Sequence, residues 1–294
     1  MYDVKKTFRA SSEEEALDLL CAHGDAVLVA GGTDVMIRLR ERKLRSAVLI
    51  SILDVPTLRG IRLDEAGDLR LGAGCCFTDL TESPLVRECV PMLADACRQV
   101  GSPQIRNIAT LGGNLCNGAV SADSAPALYA LDARLTLRGP QGSRTVPVCG
   151  FHTGPGQTVR RRDELLTEIV LPRSAWAGHG GCYLKFGQRR AMEISTLGCA
   201  VNVSLTEDRR RLRTAALAFG VAAPTPVRCP ETERRIAGAE LTPDLLETVR
   251  AAVLTELQPR DSWRASRELR VQLIRELSVR ALRQAVRNAG GEEF

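Results

Sequence analysis

Residues 102–123, SPQIRNIATLGGNLCNGAVSAD, are dense in small and polar side chains inside an otherwise apolar chain. Gly112, Gly113 and Gly118 permit close backbone approach and left-handed geometry. Ala109 and Thr110 keep the surface flat beside them, and Thr110 adds a hydroxyl. Asn107, Asn114, Asn117 and Asp123 supply donors and acceptors. Two readings follow. The backbone wraps closely around a polar, phosphate-bearing ligand, or the stretch is a glycine turn between strands.

A second glycine site stands upstream. Residues 26–30, AVLVA, read as a short buried strand. Gly31-Gly32-Thr33-Asp34 turns the chain, and 35–43 reads as a helix. A strand, a glycine turn and a helix start aim backbone N–H groups at a diphosphate. The turn is neither G-x-G-x-x-G nor a P-loop, because the third glycine and the lysine are absent. The alternative is a tight strand–helix connection capped by Thr33 or Asp34.

Around these sites the pattern is mixed. A helix follows Ser11 or Ser12, with Glu13, Glu14 and Glu15 in its first turn. Residues 48–53 read as a strand, and Pro56 marks a lobe boundary. Residues 61–63 and 69–73 form a hairpin. Helices are expected over 90–100 and 125–131, and strands over 134–138, 145–148 and 165–171. Arg160, Arg161 and Arg162 read as a solvated loop. Pro172 to Gly181, with Gly178, Gly180 and Gly181, reads as a linker. Strands at 182–189, 197–205 and 213–221 and helices at 231–237, 243–256 and 266–288 complete the chain. The last helix carries Leu269, Leu273, Leu277 and Ala281 as a core or interface stripe.

The chain has 294 residues, enough for two or three modest domains. No window approaches the about 18 apolar residues of a membrane span. The N-terminus lacks the apolar region of a secretory signal. Ten cysteines in a chain without such a signal fit free thiols in a reducing cytoplasm. No C-x-x-C is present, so no metal or iron–sulfur ligation is expected within this chain. Net charge is +5, much of it in the arginines of 264–287, but only 4% of residues are aromatic. Stacking platforms for nucleic acid are therefore scarce, and the arginines read as a solvated face or subunit contact.

Catalysts are few. His23, His152 and His179 lack metal-ligand spacing and read as surface or turn histidines. No G-x-S-x-G elbow occurs, and Cys116 has no base near it in sequence. Cradling loops without an acid–base set fit a bound redox cofactor that carries the chemistry itself.

LVAGGTDV (28–35) together with QIRNIATLGGNLCNGAVSAD (104–123) resembles the FAD-binding subunits of molybdenum hydroxylases. GFHTGPG (150–156), YLKFGQRRAMEISTLG (183–198), AFGVAAPTPVR (218–228) and SWRASRELR (262–270) extend the resemblance along the chain. It implies an α+β architecture: a two-lobed FAD-binding fold of the vanillyl-alcohol-oxidase/PCMH type plus a C-terminal α+β domain of the CO-dehydrogenase flavoprotein type. Lobes at 1–56 and 57–176 and a domain at 177–294 are expected.

By the same resemblance, the backbone of Leu28, Val29, Ala30, Gly31, Gly32, Thr33, Asp34 and Val35 holds the FAD pyrophosphate. Ala109, Thr110, Gly112, Gly113 and Asn114 line the flavin and diphosphate. Asp123 falls at the spacing of a cofactor-binding carboxylate, and Leu165 lies in a segment packed near the flavin ring. Lys185 matches a lysine close to the isoalloxazine, where its charge would stabilise reduced, anionic flavin. Gly101, with Val100, stands where eukaryotic relatives place an aromatic residue against the ring. Residues 186–196 match a loop bordering the nicotinamide side.

The implied role is electron transfer. A substrate, a purine by resemblance, is hydroxylated at a molybdopterin centre on a large partner chain. Electrons pass through [2Fe-2S] clusters on a small partner chain to FAD here and then to NAD. A self-contained flavin oxidoreductase on the same fold, the FAD subunit of a related aldehyde, N-heterocycle or CO dehydrogenase, and a non-catalytic adaptor are the alternatives. Gly112→Val is expected to expel FAD with little loss of fold, and Lys185→Met to retain FAD while lowering its potential.

Overall fold

The computed structural model describes residues 2–292 and 294. A small parallel sheet comes first. It is built from β1 (Val4–Arg9), β2 (Val27–Val29) and β3 (Ala47–Ser51) in the order β1-β3-β2. The sequence reading did not contain β1. Its VKKTFR pattern offers only Val4 and Phe8 as apolar residues, and the strand exists because it pairs with β3 at the sheet edge. Between β1 and β2 runs α1 (Glu13–Ala22). The Ser12 hydroxyl accepts from the Glu15 N–H at 3.1 Å, and three glutamates occupy its first turn. α2 (Val35–Arg40) leads from the glycine turn back towards β3.

The second unit is an antiparallel sheet flanked by helices. Its strands are β4 (Ile61–Leu63), β5 (Leu69–Gly72), β6 (Arg134–Gly139), β7 (Gly142–Pro147) and, after the short ribbon of β8 (His152–Gly154) and β9 (Gln157–Thr158), β10 (Leu165–Leu171). Their order is β4-β5-β10-β6-β7. Six short helices lie between β5 and β6: α3 (Phe77–Glu82), α4 (Pro84–Cys89), α5 (Pro91–Arg98), α6 (Pro103–Arg106), α7 (Leu111–Asn117) and α8 (Ser124–Ala130). Helix α7 is LGGNLCN, so the glycine stretch is neither a bare turn nor a loop. Glycines at its second and third positions lower its helix propensity. Burial of Leu111 and Leu115 and the Thr110 cap offset that cost.

The third unit is the sheet β11 (His179–Phe186), β12 (Leu197–Leu205), β13 (Leu212–Gly220) and β14 (Val227–Arg228), in sequential antiparallel order. Helices α9 (Pro230–Ile236), α10 (Pro243–Ala252) and α11 (Arg267–Asn288) cover one face. Helices α5 and α8 of the second unit pack against the other. All nine residues of β12 are buried, as expected for a strand covered on both faces. Tyr183, Ala200, Ala216 and Ala218 thereby join the core of the second unit.

The end of the expected linker, residues 179–181, belongs to β11, which starts at His179. A Cβ on Gly180 would stand 2.2 Å from the Ala285 carbonyl oxygen, so this glycine lets α11 lie against the strand. His152 is a core residue. Its Nε2 donates to the Leu115 carbonyl at 3.0 Å and its Nδ1 accepts from the Tyr129 hydroxyl at 2.9 Å, while burial lowers its pKa. Arg270 leaves the basic face of α11 and is 2% exposed. Its guanidinium donates to the Thr196 carbonyl, the Ser262 hydroxyl and the Arg260 and Ala265 carbonyls.

Candidate functional site

The two glycine stretches meet. A Cβ built on Gly31 would stand 2.0 Å from the Ile108 carbonyl oxygen, so the turn after β2 and the turn after α6 are in backbone contact. Around this contact lies a cleft of about 700 Å³. One wall comes from residues 24–35 and the other from α7. The floor includes Ala73 and Gly74 after β5, and Leu165 and Leu166 at the start of β10.

The two walls differ in what they offer. The backbone N–H groups of Gly31, Gly32, Thr33 and Asp34 find no acceptor within the described chain. Gly32 has φ +71°, which bends the turn so that consecutive amides form a shallow nest. On the opposite wall the donors are already used. The Leu111 and Gly112 amides donate to the Cys75 and Ala73 carbonyls, and the Gly113 amide donates to the Thr110 hydroxyl oxygen. That wall supplies flatness rather than an anion nest. Asn114 accepts from the Ser124 hydroxyl through Oδ1 at 2.7 Å, which leaves its amide N–H groups for a ligand.

Charge follows the same division. Arg38, Arg160 and Arg162 line the cleft against Asp25 and Asp34. Burial raises the Asp34 carboxyl, while a hydrogen bond from Asn117 and the Arg38 charge pull it down. Arg160 is held by the Glu164 carbonyl at 2.7 Å. The run read as a solvated loop therefore carries positive charge into the site. The signal was a basic run closing a chain segment whose partner loops read as phosphate-binding. Neutralising Arg38 or Arg162 with glutamine is expected to weaken binding of a phosphate-bearing ligand about threefold to fivefold each, the range of a partly screened pair. Titration of the ligand-free protein checks this. Cys116 also reaches the wall, but burial pushes its thiol up to about 11, so it is not a thiolate at neutral pH.

The structure brings most of the expected residues to the wall: Leu28 and 30–35 from the first stretch, Ala109, Thr110, Gly112, Gly113 and Asn114 from the second, and Leu165 from β10. Four stand elsewhere. Val29 packs beneath the turn with Leu39 and Leu49. Gly101, at φ +48°, turns against Ile105, and its neighbour Val100 reaches the cleft instead. Asp123 and Lys185 sit behind the wall as a buried ion pair at 2.7 Å, each side chain 7% exposed. Lys185 Nζ also donates to the Gln99 and Glu193 carbonyls at 3.0 and 2.8 Å, and the Tyr183 hydroxyl donates to the other Asp123 oxygen at 2.8 Å. All three ammonium protons are used inside the protein. Burial raises the Asp123 carboxyl, and Lys185 opposes that rise.

A nest of unused amides and three arginines at one end, with Val100, Ile105, Leu165 and Leu166 along the walls, defines a site for a long ligand that is anionic in one part and flat and apolar in another. Residues 3–174 match the family described as the FAD binding domain in molybdopterin dehydrogenase, and residues 182–285 match the CO dehydrogenase flavoprotein C-terminal domain. The chain belongs to this family of FAD-binding flavoproteins. It is 42% identical over 292 residues to the putative xanthine dehydrogenase FAD-binding subunit of Escherichia coli K12, with 99% of each chain covered. It is 32% identical over 272 residues to the carbon monoxide dehydrogenase medium chain of Hydrogenophaga pseudoflava, covering 92% of this chain and 93% of that one. The fold matches the structure of carbon monoxide dehydrogenase from the same organism with a TM-score of 0.93 and 29% identity, over 98% and 99% of the two chains.

The residues present fit FAD. The nest and arginines match its diphosphate, and the apolar walls match its ring system. Among the described residues no helix is long and apolar enough to cross a membrane, and no group of three His, Cys, Asp or Glu could hold a metal ion.

Proposed function

We propose that this chain is the electron-transfer subunit of a xanthine dehydrogenase-type complex in the cytoplasm. In this reading it takes electrons from a [2Fe-2S] partner chain and passes them to NAD, and a molybdopterin-bearing large chain hydroxylates the purine. The observation that carries the reading is the run of four unused amides in a cleft that three arginines also line. Bound FAD supplies the redox chemistry, since it can accept and release electrons. The chain's residues bind and orient it. Amides 31–34 with Arg38, Arg160 and Arg162 hold the diphosphate. Thr110 and Asn114 hydrogen-bond along it, and Gly113 leaves room for it. Leu165 and Val100 exclude water from the ring. Asp123 and Lys185 position the wall from behind, and Gly101 lets Val100 face inward.

Two measurements test this. Denaturing the purified complex should release about one FAD per copy of this chain. Release of FMN instead would contradict the diphosphate role of residues 31–34. Anaerobic addition of NADH to the complex should bleach the flavin absorbance. A flavin that ignores NADH yet accepts electrons from hypoxanthine would leave the cofactor site intact and assign another acceptor.

A further inference from the structure

His152 is a buried base that makes none of the cofactor contacts itself. It is 5% exposed, on β8, with the Phe151 ring edge-on at 5.2 Å. Its two nitrogens meet opposite demands. The Leu115 carbonyl on α7, 3.0 Å from Nε2, can only accept, and the Tyr129 hydroxyl on α8 lies 2.9 Å from Nδ1. A neutral ring with its proton on Nε2 satisfies both. Leu115 stands between Asn114 and Cys116, which line the cofactor cleft. Other ties hold the same end of α7. The Ser124 hydroxyl donates to Asn114 Oδ1, and the Gly156 amide donates to the Gly118 carbonyl. Neither contains a titratable group, and Asn117 is tied to the Asp34 carboxyl. His152 is the tie whose ordinary titration range lies nearest neutral pH.

We propose that His152 is a positioning residue of the cofactor site: its neutral ring holds α7 in the FAD-binding arrangement, and its protonation lets that wall move and FAD leave. The proposal rests on the FAD-binding role given above. A cationic ring has two N–H donors and no acceptor. Its Nδ1–H would confront the Tyr129 O–H, which has no other acceptor among the described residues. Turning the hydroxyl away strands its proton in the core. Charge gives no relief, because no carboxylate is hydrogen-bonded to the ring among the described residues. The titratable neighbours on the packed elements are Tyr129, with Cys149 beside it, and Cys116 next to Leu115, all kept protonated by burial. Beyond them stand Arg228, Asp132 and Glu233 about Cys149, and Arg160 about Cys116. Burial lowers the His152 pKa, and the bond to Leu115 opposes that fall. A base whose folded pKa lies below its free value, about 6.5, contributes fully above that value, and its contribution is lost as pH falls from there towards the folded one.

The test uses the purified complex, dialysed against FAD over a pH series from neutral to mild acid. Bound FAD and far-UV circular dichroism are read on the same samples. In the wild type, FAD affinity should fall by up to about tenfold per pH unit below about 6.5, the limit for one proton, while the far-UV signal persists. His152→Gln offers an amide N–H to Leu115 and a carbonyl oxygen to Tyr129 without titrating. It should bind FAD at neutral pH and lose most of the acid decline. Tyr129→Phe removes the donor to Nδ1 and frees that nitrogen for a proton, so the decline should begin at higher pH. Raised carboxyls at Asp34 and Asp123 add their own acid response, and both variants leave them intact. A decline that His152→Gln leaves unchanged, or that starts no earlier in Tyr129→Phe, overturns the proposal, as does FAD loss that only follows loss of the far-UV signal. Where His152→Gln does not fold, Tyr129→Phe decides. A complex that binds no FAD at neutral pH overturns the functional reading itself, whereas one that binds FAD with no histidine-dependent decline loses only the role of His152.

Discussion

Lys185→Met is expected to destabilise the protein by about 3–5 kcal/mol at neutral pH, because it strips the partner from a buried carboxylate. Asp123 would keep the Tyr183 hydroxyl and lose its cation, while the Gln99 and Glu193 carbonyls would lose their donor. The pH dependence has a definite sign. Burial already raises the Asp123 pKa, and the variant removes the group that opposes the rise. A carboxyl whose folded pKa lies above its unfolded value costs stability at high pH. That cost disappears as pH falls through the folded value towards the unfolded one. Urea denaturation should therefore show the deficit of Lys185→Met shrinking in mild acid. The double variant Asp123→Asn/Lys185→Met should recover much of the loss at neutral pH, since no buried charge remains. A deficit independent of pH, or no recovery in the double variant, would mean that packing rather than charge holds this pair together.

The geometry also revises what Lys185 does for the flavin. A lone ammonium would favour reduced, anionic flavin, but an ammonium 2.7 Å from a carboxylate acts as a dipole, whose field falls off faster. The fall in flavin potential expected for Lys185→Met should thus appear at neutral pH, when Asp123 is left ionised, and fade in acid. In the double variant it should be nearly absent. The sequence placed a charge at this position. It held nothing to say that Asp123, 62 residues earlier, would neutralise it.

What was legible follows from whether the signal was local. The caps, glycine turns and apolar runs are local, and β2, α2, β10 and β12 fall close to where their patterns put them. The two walls of the cleft were legible because glycine, asparagine and threonine cluster there for a reason that spacing reveals. Long-range contacts were not legible. Gly180 resembled a flexible hinge, and only α11 arriving against it turns the glycine into a packing requirement. Arg270 resembled its exposed neighbours on the same helix, and the carbonyls that bury it come from 196, 260 and 265. Arg160 and Arg162 resembled a solvated run until the fold set them in the lining of the cleft. In each case the residue type was known and its partner was not.

The same distinction decides which glycine carries the cofactor site. Gly31→Ala is expected to give the larger loss of FAD, although one methyl group is its only change. The new Cβ would lie 2.0 Å from the Ile108 carbonyl oxygen, 2.6 Å from its carbon and 2.9 Å from Ala109 Cα. These are backbone atoms, and no rotamer change can clear them. The turn after β2 must back away from the turn after α6, and these touching turns lead into the two walls of the cleft. Overpacking of this kind costs about 1–3 kcal/mol of stability, but it moves the four amides of the nest as a group, so FAD retention should fall below detection on gel filtration. Gly112 behaves differently from its sequence expectation. Its Cβ would meet Ala73 Cβ and the Ala73 carbonyl oxygen at 2.7 Å, behind the wall, so Gly112→Val should damage folding rather than only block the cofactor. At Gly113 a Cβ would meet only the Thr110 hydroxyl, at 2.8 Å, and alanine there should cost about 1 kcal/mol through the lost cap. Gly24 lines the same cleft with nothing within 4 Å of its Cβ position, so Gly24→Ala is the control that should keep both fold and FAD. FAD content per chain and thermal midpoint, measured together on these variants, separate closure of the walls from stability of the fold. Full retention of FAD by Gly31→Ala would mean that the contact between the turns is not what forms the site.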